Sequence, residues 1–300
     1  GVRKVGLHPV PVAGHGQGAR VVPGEWVIGM HRVWIDVASD ETKAATHALL
    51  AEASASDVRI ALLLDRAFVP ADEWRRFAAS TPGVPLYGGK YAGDGVEQAS
   101  PWLCTVPEQG ASPGPWLDAL FRLCAGRPML TLLQTRLPLQ PLRLHLQQRL
   151  EASVAGETFV VRYADTRCLP QLFEVLDPAQ RAAFLASIDG WRYVDRAGAL
   201  QSLPKQSADA AAALPFVLSP DQQQALQTAA LPDTLIAYLR ERQDVFGHLC
   251  GSPSAIHRCV HAVLGGLAET PQISANAYRQ VLVALEAEGL LSAAEATQDA

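Results

Sequence analysis

The sequence predicts a mixed α/β domain over residues 1–205, followed by an all-α domain over 206–300. Three observations carry this. Short segments dense in Val, Ile, Leu and Trp alternate with amphipathic segments through the first two thirds of the chain. Beyond residue 205 the strand-like segments give way to helical patterns that open on Ser-Pro or Pro-Asp. Finally, 300 residues, 49% hydrophobic and 18% charged, supply one large core or two smaller ones and exclude a disordered chain.

Residues 8–24 are rich in Gly and Pro and read as a loop or arm, with strand-like density at 26–37 and a helix at 41–53. The aliphatic run 58–64, ending at Asp65, has the unbroken apolar character of a buried central strand. Pro70 suits the first turn of a helix through Ala79, because its missing N–H would have no helical partner there. Strands at 84–87 and 102–106, a helix at 116–124 and a strand at 129–134 follow. Leu139, Leu142, Leu146 and Leu150 recur at helical spacing. Residues 157–163 return to strand character, and Asp165 is placed to cap a helix over 167–175. Asp177-Pro178 starts another helix through Ser187. Further on, helices are expected at 219–228, 232–246, 254–267 and 274–288, the last ended by Gly289.

The longest aliphatic run, Ile60 to Leu64, is far short of the ~20 residues that span a bilayer, so no membrane insertion is expected. Five widely spaced cysteines, an odd number, suit reduced thiols in the cytoplasm better than a disulfide framework. A net charge of −5 speaks against a nucleic-acid partner. That total conceals a split. Residues 122–167 hold seven arginines against three carboxylates, whereas 206–300 hold four arginines against ten. The two regions read either as surfaces for two partners or as ordinary solvated faces.

The motifs that point to chemistry fail on particular residues. Gly110-Ala111-Ser112-Pro113-Gly114 has the spacing of a nucleophile elbow, which would make Ser112 the nucleophile of a serine hydrolase. The residue after the nucleophile must donate an N–H to the oxyanion, and Pro113 has none. Gly83 to Lys90 resembles a phosphate loop, but its spacing is one residue too long and Tyr91 stands where Ser or Thr should meet magnesium. His257 and His261 share a helical face at zinc-site spacing, with His248 and Cys250 upstream, while Cys259 points elsewhere. A zinc-stabilised helical module is the rival reading; half-buried histidines and a small buried thiol are the plainer one, and no cofactor is expected.

Between Leu142 and Trp191 the chain carries an ordered series of blocks. They are Leu142-Arg143-Leu144-His145-Leu146 with Arg149, then Phe159 through Leu169 (FVVRYADTRCL), then Leu176-Asp177-Pro178-Ala179-Gln180, and finally Trp191. Ala61 to Ala67, Pro85-Leu86-Tyr87, Pro101-Trp102-Leu103 and Leu218 to Leu226 extend the series in both directions. Together they resemble the effector adaptor-chaperone family of bacterial type VI secretion, over about 58–246, with the family-like core at about 58–195. Thr166 stands where the family has a proline, Ala164 where it has an aromatic, and Gln147-Gln148 where it has two arginines. The resemblance implies a non-enzymatic cytoplasmic adaptor that binds a toxin effector and loads it onto the valine-glycine-repeat spike, VgrG. It marks Arg143, His145, Arg162, Asp165 and Arg167 as residues that either contact a partner or hold the fold together.

Overall fold

The computed structural model describes residues 33–54, 57–106, 114–206, 212–267 and 273–292, together with the backbone of Leu7–Pro9. The chain divides into two compact units, Leu7–Gln222 and a second that takes up the chain from Gln223. The sequence-based boundary at 205/206 lies ahead of that division.

In the larger unit, β1 (Leu7–Pro9) is followed by α1 (Asp40–Ser54), whose first turn carries Asp40 and Glu41 where the helix dipole favours negative charge. The strand expected at 26–37 is corrected over its described part: residues 33–39 form no strand, and 26–32 lie outside the described residues. Residues 34 and 36 are nonetheless anchored, Trp34 N–H donating to Gly126 O (2.7 Å) and Asp36 N–H to Arg196 O (2.9 Å). Next come β2 (Arg59–Leu64), a 3-10 turn over Arg66–Phe68, α2 (Ala71–Ala78) capped by Pro70, β3 (Gly83–Pro85), α3 (Val96–Ala99) and β4 (Trp102–Thr105). They lead to α4 (Gly114–Cys124), β5 (Leu130–Thr135) and α5 (Leu139–Gln147). The hairpin β6 (Glu151–Val154) and β7 (Glu157–Val161) precedes α6 (Cys168–Val175) and α7 (Pro178–Leu185). A second hairpin, β8 (Gly190–Val194) and β9 (Leu200–Ser202), is followed by β10 (Phe216–Val217) and by α8 (Pro220–Ala229), whose first turn lies in this unit and whose remainder, from Gln223, lies in the other.

The alternation of strands and helices does not produce a parallel sheet. Six strands in the order β3-β4-β2-β5-β8-β9 pair antiparallel throughout. β4 and β5 run the same way on opposite sides of β2, so α4 is the crossover of a split β-α-β unit with β2 threaded between its strands. Every residue of β2 after Arg59 is buried, as both faces of a covered central strand require. The second sheet has the order β1-β7-β6-β10, with only the β6–β10 pair parallel.

Local chemistry closes several sheet edges. Leu86 N–H donates to Pro101 O (2.8 Å), so alternation turns Pro85 outward, where it offers no donor to another strand. At β9 the Leu200 N–H is taken by Thr42 Oγ1 of α1 (3.1 Å). At β10 the Val217 carbonyl accepts from Gln180 Nε2 (3.0 Å). The turn between β8 and β9 needs Gly198: its φ is +73°, and a Cβ there would stand 2.4 Å from Val37 O.

The β6–β7 turn carries a correctable strain. Ala155 (φ 51°) and Gly156 (φ 85°) both sit in the left-handed region, the geometry of a two-residue hairpin that favours Asn-Gly. Ala155→Asn is expected to stabilise the chain by about 0.5–1 kcal/mol, raising Tm by roughly 1–3 °C. Calorimetry showing no gain would contradict this account of the turn.

The smaller unit contains α9 (Leu231–Glu241), α10 (Gln243–Phe246), β11 (His248–Leu249), α11 (Pro253–Gly265), α12 (Ala275–Ala287) and β12 (Leu291–Ser292). Its all-helical expectation is corrected in a small way, because β11 and β12 pair antiparallel. The helix expected over 232–246 is interrupted at Arg242, which leaves helical geometry at φ −121°, ψ 39°. Leu235, Leu239, Ile256, Val260, Val281 and Leu285 form the centre of this unit's core. Gly289, at φ 67°, ends the α12 segment, with Leu290 N–H returning to Leu285 O (2.7 Å).

Candidate functional site

The family-like block from Phe159 to Leu169 leaves β7 and turns into α6, and its charges are drawn inward. Asp165 is fully buried and accepts two parallel bonds from Arg167, Nε–H to Oδ1 (3.1 Å) and Nη2–H to Oδ2 (2.8 Å). It also accepts from the Arg167 backbone N–H (3.0 Å), while its own carbonyl takes the N–H groups of Cys168 and Leu169. The cap expected from Asp165 is therefore a turn placed just before the helix, whose N-cap position is Arg167.

Arg162 reaches across the fold rather than along the chain. Its Nη2 lies 2.9 Å from Asp65 Oδ2 at the end of β2, and 3.9 Å from Asp165 Oδ2. Phe68 lies under both arginines, with Cζ–centroid distances of 5.7 Å for Arg162 and 5.4 Å for Arg167, and Trp34 faces Arg167 at 4.7 Å. The two carboxylates respond in opposite directions. Burial pushes the Asp65 carboxyl above its ordinary value, and the Arg162 cation only partly offsets this. Burial also opposes ionisation of Asp165, but the Arg167 guanidinium and its hydrogen bonds outweigh it, so that carboxyl is held below its ordinary value.

The other marked residues lie on α5. Arg143 donates to Gly88 O (2.7 Å) and Gln147, one turn on, to Leu86 O (2.8 Å) and Gly88 O (3.0 Å), so both hold the loop after β3. His145 is pulled down to about 4 by burial and by the neighbouring Arg149 cation, which leaves it neutral near pH 7. Arg149, named in the same block but given no role there, is more deeply placed at 2% exposure. Its Nε–H bonds the carbonyls of Ala183 and Phe184 (3.0 Å each), and its terminal nitrogens bond those of His145 and Ala183. No carboxylate among the described residues pairs with it. One guanidinium thus serves the otherwise unpaired carbonyl ends of α5 and α7. Burial draws it down to about 10, still a cation near neutrality.

The remaining blocks are also structural in place. Tyr163 O–H donates to Leu146 O (2.8 Å), and its ring meets Phe184 and Trp191 edge-on at 5.6 and 5.8 Å. Asp177 and Gln180 form a reciprocal capping box on α7 (2.8 and 3.0 Å). Ser219 and Gln222 form another on α8, and Gln222 Nε2 bonds Gln180 Oε1 (2.7 Å), joining the two.

Among the described residues the candidate metal ligands do not converge. Ser112 lies outside the described residues. His257 and His261 stack with centroids 5.9 Å apart, His248 Nδ1 lies 2.8 Å from Gln243 Oε1, and Cys250 Sγ donates to His248 O. Cys259 is buried, and burial and Glu288 push its thiol up. Among the described residues no three His, Cys, Asp or Glu side chains form a group that could hold a metal ion. Among the same residues no helix is long and apolar enough to cross a membrane.

Asp65 and Arg149 are the residues that sequence reasoning missed. Each sits inside a family-like block, and its partners are supplied by segments 97 residues away for Asp65 and 34–35 away for Arg149. Neither the curated proteins nor the solved structures contain a significant match to the chain. Residues 62–183, from within β2 to within α7 and including the whole buried charge cluster from Asp65 to Arg167, match a protein family described as a domain of unknown function (DUF4123).

Proposed function

We propose that the chain is a non-enzymatic adaptor-chaperone, which binds a cognate type VI secretion effector in the bacterial cytoplasm and loads it onto the VgrG spike. The observation that carries the reading is the ordered series of adaptor-like blocks from Ala61 to Leu226, whose central part coincides with the matched family span. The use to which those blocks are put supports it. Asp65, Arg149, Arg162, Asp165 and Arg167 are engaged with one another or with backbone carbonyls, as befits a scaffold that presents surfaces to partners. Such a protein needs stable docking faces more than a cleft of perturbed titrating groups.

The test is retention. Tagged full-length chain, co-expressed with candidate type VI effectors and VgrG spike proteins of the same organism, is expected to hold one of each at micromolar concentration. Failure to retain either partner would sink the reading.

A further inference from the structure

Residues 33–39 cross the larger unit as an irregular segment that joins neither of its sheets. The Trp34 and Ile35 N–H groups both donate to Gly126 O (2.7 and 3.3 Å), the Asp36 N–H donates to Arg196 O (2.9 Å) and the Ser39 N–H to Gly198 O (3.2 Å). These acceptors lie in two turns, one after α4 and the other between β8 and β9. We infer that the segment is a releasable strap, which seals the buried Asp165–Arg167 pair and opens without disturbing either sheet.

The seat beneath the strap is shaped to it. Gly126 and Gly198 both hold left-handed backbone, at φ 70° and 73°. A Cβ on Gly126 would stand 2.7 Å from Val33 Cγ1, and one on Gly198 would stand 2.4 Å from Val37 O. Trp34 is the anchor, buried with its ring facing the Arg167 guanidinium at 4.7 Å. Ile35 beside it is also buried, while Val33 and Val37 at the two flanks are more than half exposed. The strap lies outside the matched span of 62–183, whereas Gly126, Asp165 and Arg167 lie within it. A segment from beyond the family region therefore closes over the charged centre of that region.

Release leaves the surrounding structure in place. The strap takes no part in any strand ladder, so the described strands keep their partners when it lifts. At its far end Ser39 Oγ accepts the Thr42 N–H (3.1 Å) and Thr42 Oγ1 donates to Gly198 O (2.8 Å), so α1 stays fastened and Ser39 is the pivot. Segments held by turns outside the ladders open locally, at free energies below that of global unfolding. Once the strap is open, Arg167 loses the Trp34 ring but keeps its two parallel bonds to Asp165. The guanidinium then meets water or a partner as a cation already fixed in orientation. The inference stands whether or not the chain is an adaptor.

Native-state hydrogen exchange on the full chain tests it. In the wild type the amides of Trp34, Asp36 and Ser39 are expected to show protection factors at least about tenfold lower than those of β2. Equal protection would mean that the strap leaves only on global unfolding, and would overturn the inference. Gly198→Ala and Gly156→Ala then separate the strap from the cost of a left-handed alanine. Both positions have positive φ, 73° and 85°, but a Cβ on Gly156 meets nothing within 4 Å. Gly198→Ala is expected to lower strap protection relative to β2 by a further factor of about ten, while Gly156→Ala keeps the wild-type ratio. The same ratio in both variants overturns the inference as well. Should the Gly198→Ala chain fail to fold, the wild-type ratio alone decides.

Discussion

Replacing Arg149 with methionine is expected to destabilise the larger unit by about 3 kcal/mol or more, lowering Tm by roughly 6–12 °C. Methionine keeps much of the apolar stem and removes the donors. The carbonyls of His145, Ala183 and Phe184 then lose their charged partner at a site that is only 2% exposed. Each such buried acceptor costs about 1–3 kcal/mol when left without a donor. Two helix C-termini, each with partial negative charge, would also face one another without the cation between them. Lysine is an instructive second variant. It restores the charge, but a single ammonium on a flexible stem lacks the planar fork that reaches both α5 and α7. Arg149→Lys is therefore expected to recover less than half of the loss. Full recovery by lysine would show that charge alone matters, and the fork geometry argued here would be wrong.

This role shows what was legible in the sequence and what was not. The helical spacing of Leu139, Leu142 and Leu146 and the helix start at Asp177-Pro178 are local patterns and are realised as their spacing implies, although α5 ends at Gln147 and leaves Leu150, expected in the same helix, outside it. Asp65 is different. It follows an aliphatic strand and looks like a strand terminator, yet it is an ion-pair partner for Arg162, 97 residues away. No local pattern encodes such a pairing, because the chain is folded so that β2 and the end of β7 meet only through the sheets. The order of the six-stranded sheet was hidden for the same reason: a β2 buried from Ile60 to Leu64 reads the same between parallel or antiparallel neighbours. Strands such as β9, β10, β11 and β12, two or three residues long, are too short to show a period of two. For the marked residues, the types were legible and the roles were not. Arg143 is marked in the sequence as either a partner contact or a residue that holds the fold, and only the structure shows that it braces the loop at Gly88.

Asp165→Asn is expected to cost about 3–5 kcal/mol at neutral pH, more than Asp65→Asn, although the two carboxylates share Arg162. The amide cannot accept the paired donation of Arg167, which is 6% exposed and would remain charged with Trp34 and Phe68 against it. The pH dependence separates the two sites. Asp165 is held below its ordinary 3.8 in the folded chain, so its contribution is present above the unfolded value and is lost as pH falls through the lower, folded one. The stability gap between wild type and Asp165→Asn should therefore narrow below about pH 4. Asp65 is raised by burial, so folding favours its protonated form. Its contribution is present below the unfolded value and lost as pH rises through the raised one, which makes its ionisation at neutral pH a cost. An asparagine there stands in for the protonated acid, and Arg162 still has Asp165 at 3.9 Å. Denaturant unfolding of both variants from pH 3 to pH 7 would decide the matter, pH 3 lying below the unfolded value of about 3.9. Equal losses at neutral pH, or a gap for Asp165→Asn that does not move with pH, would mean that the cluster is not organised around the Asp165–Arg167 pair.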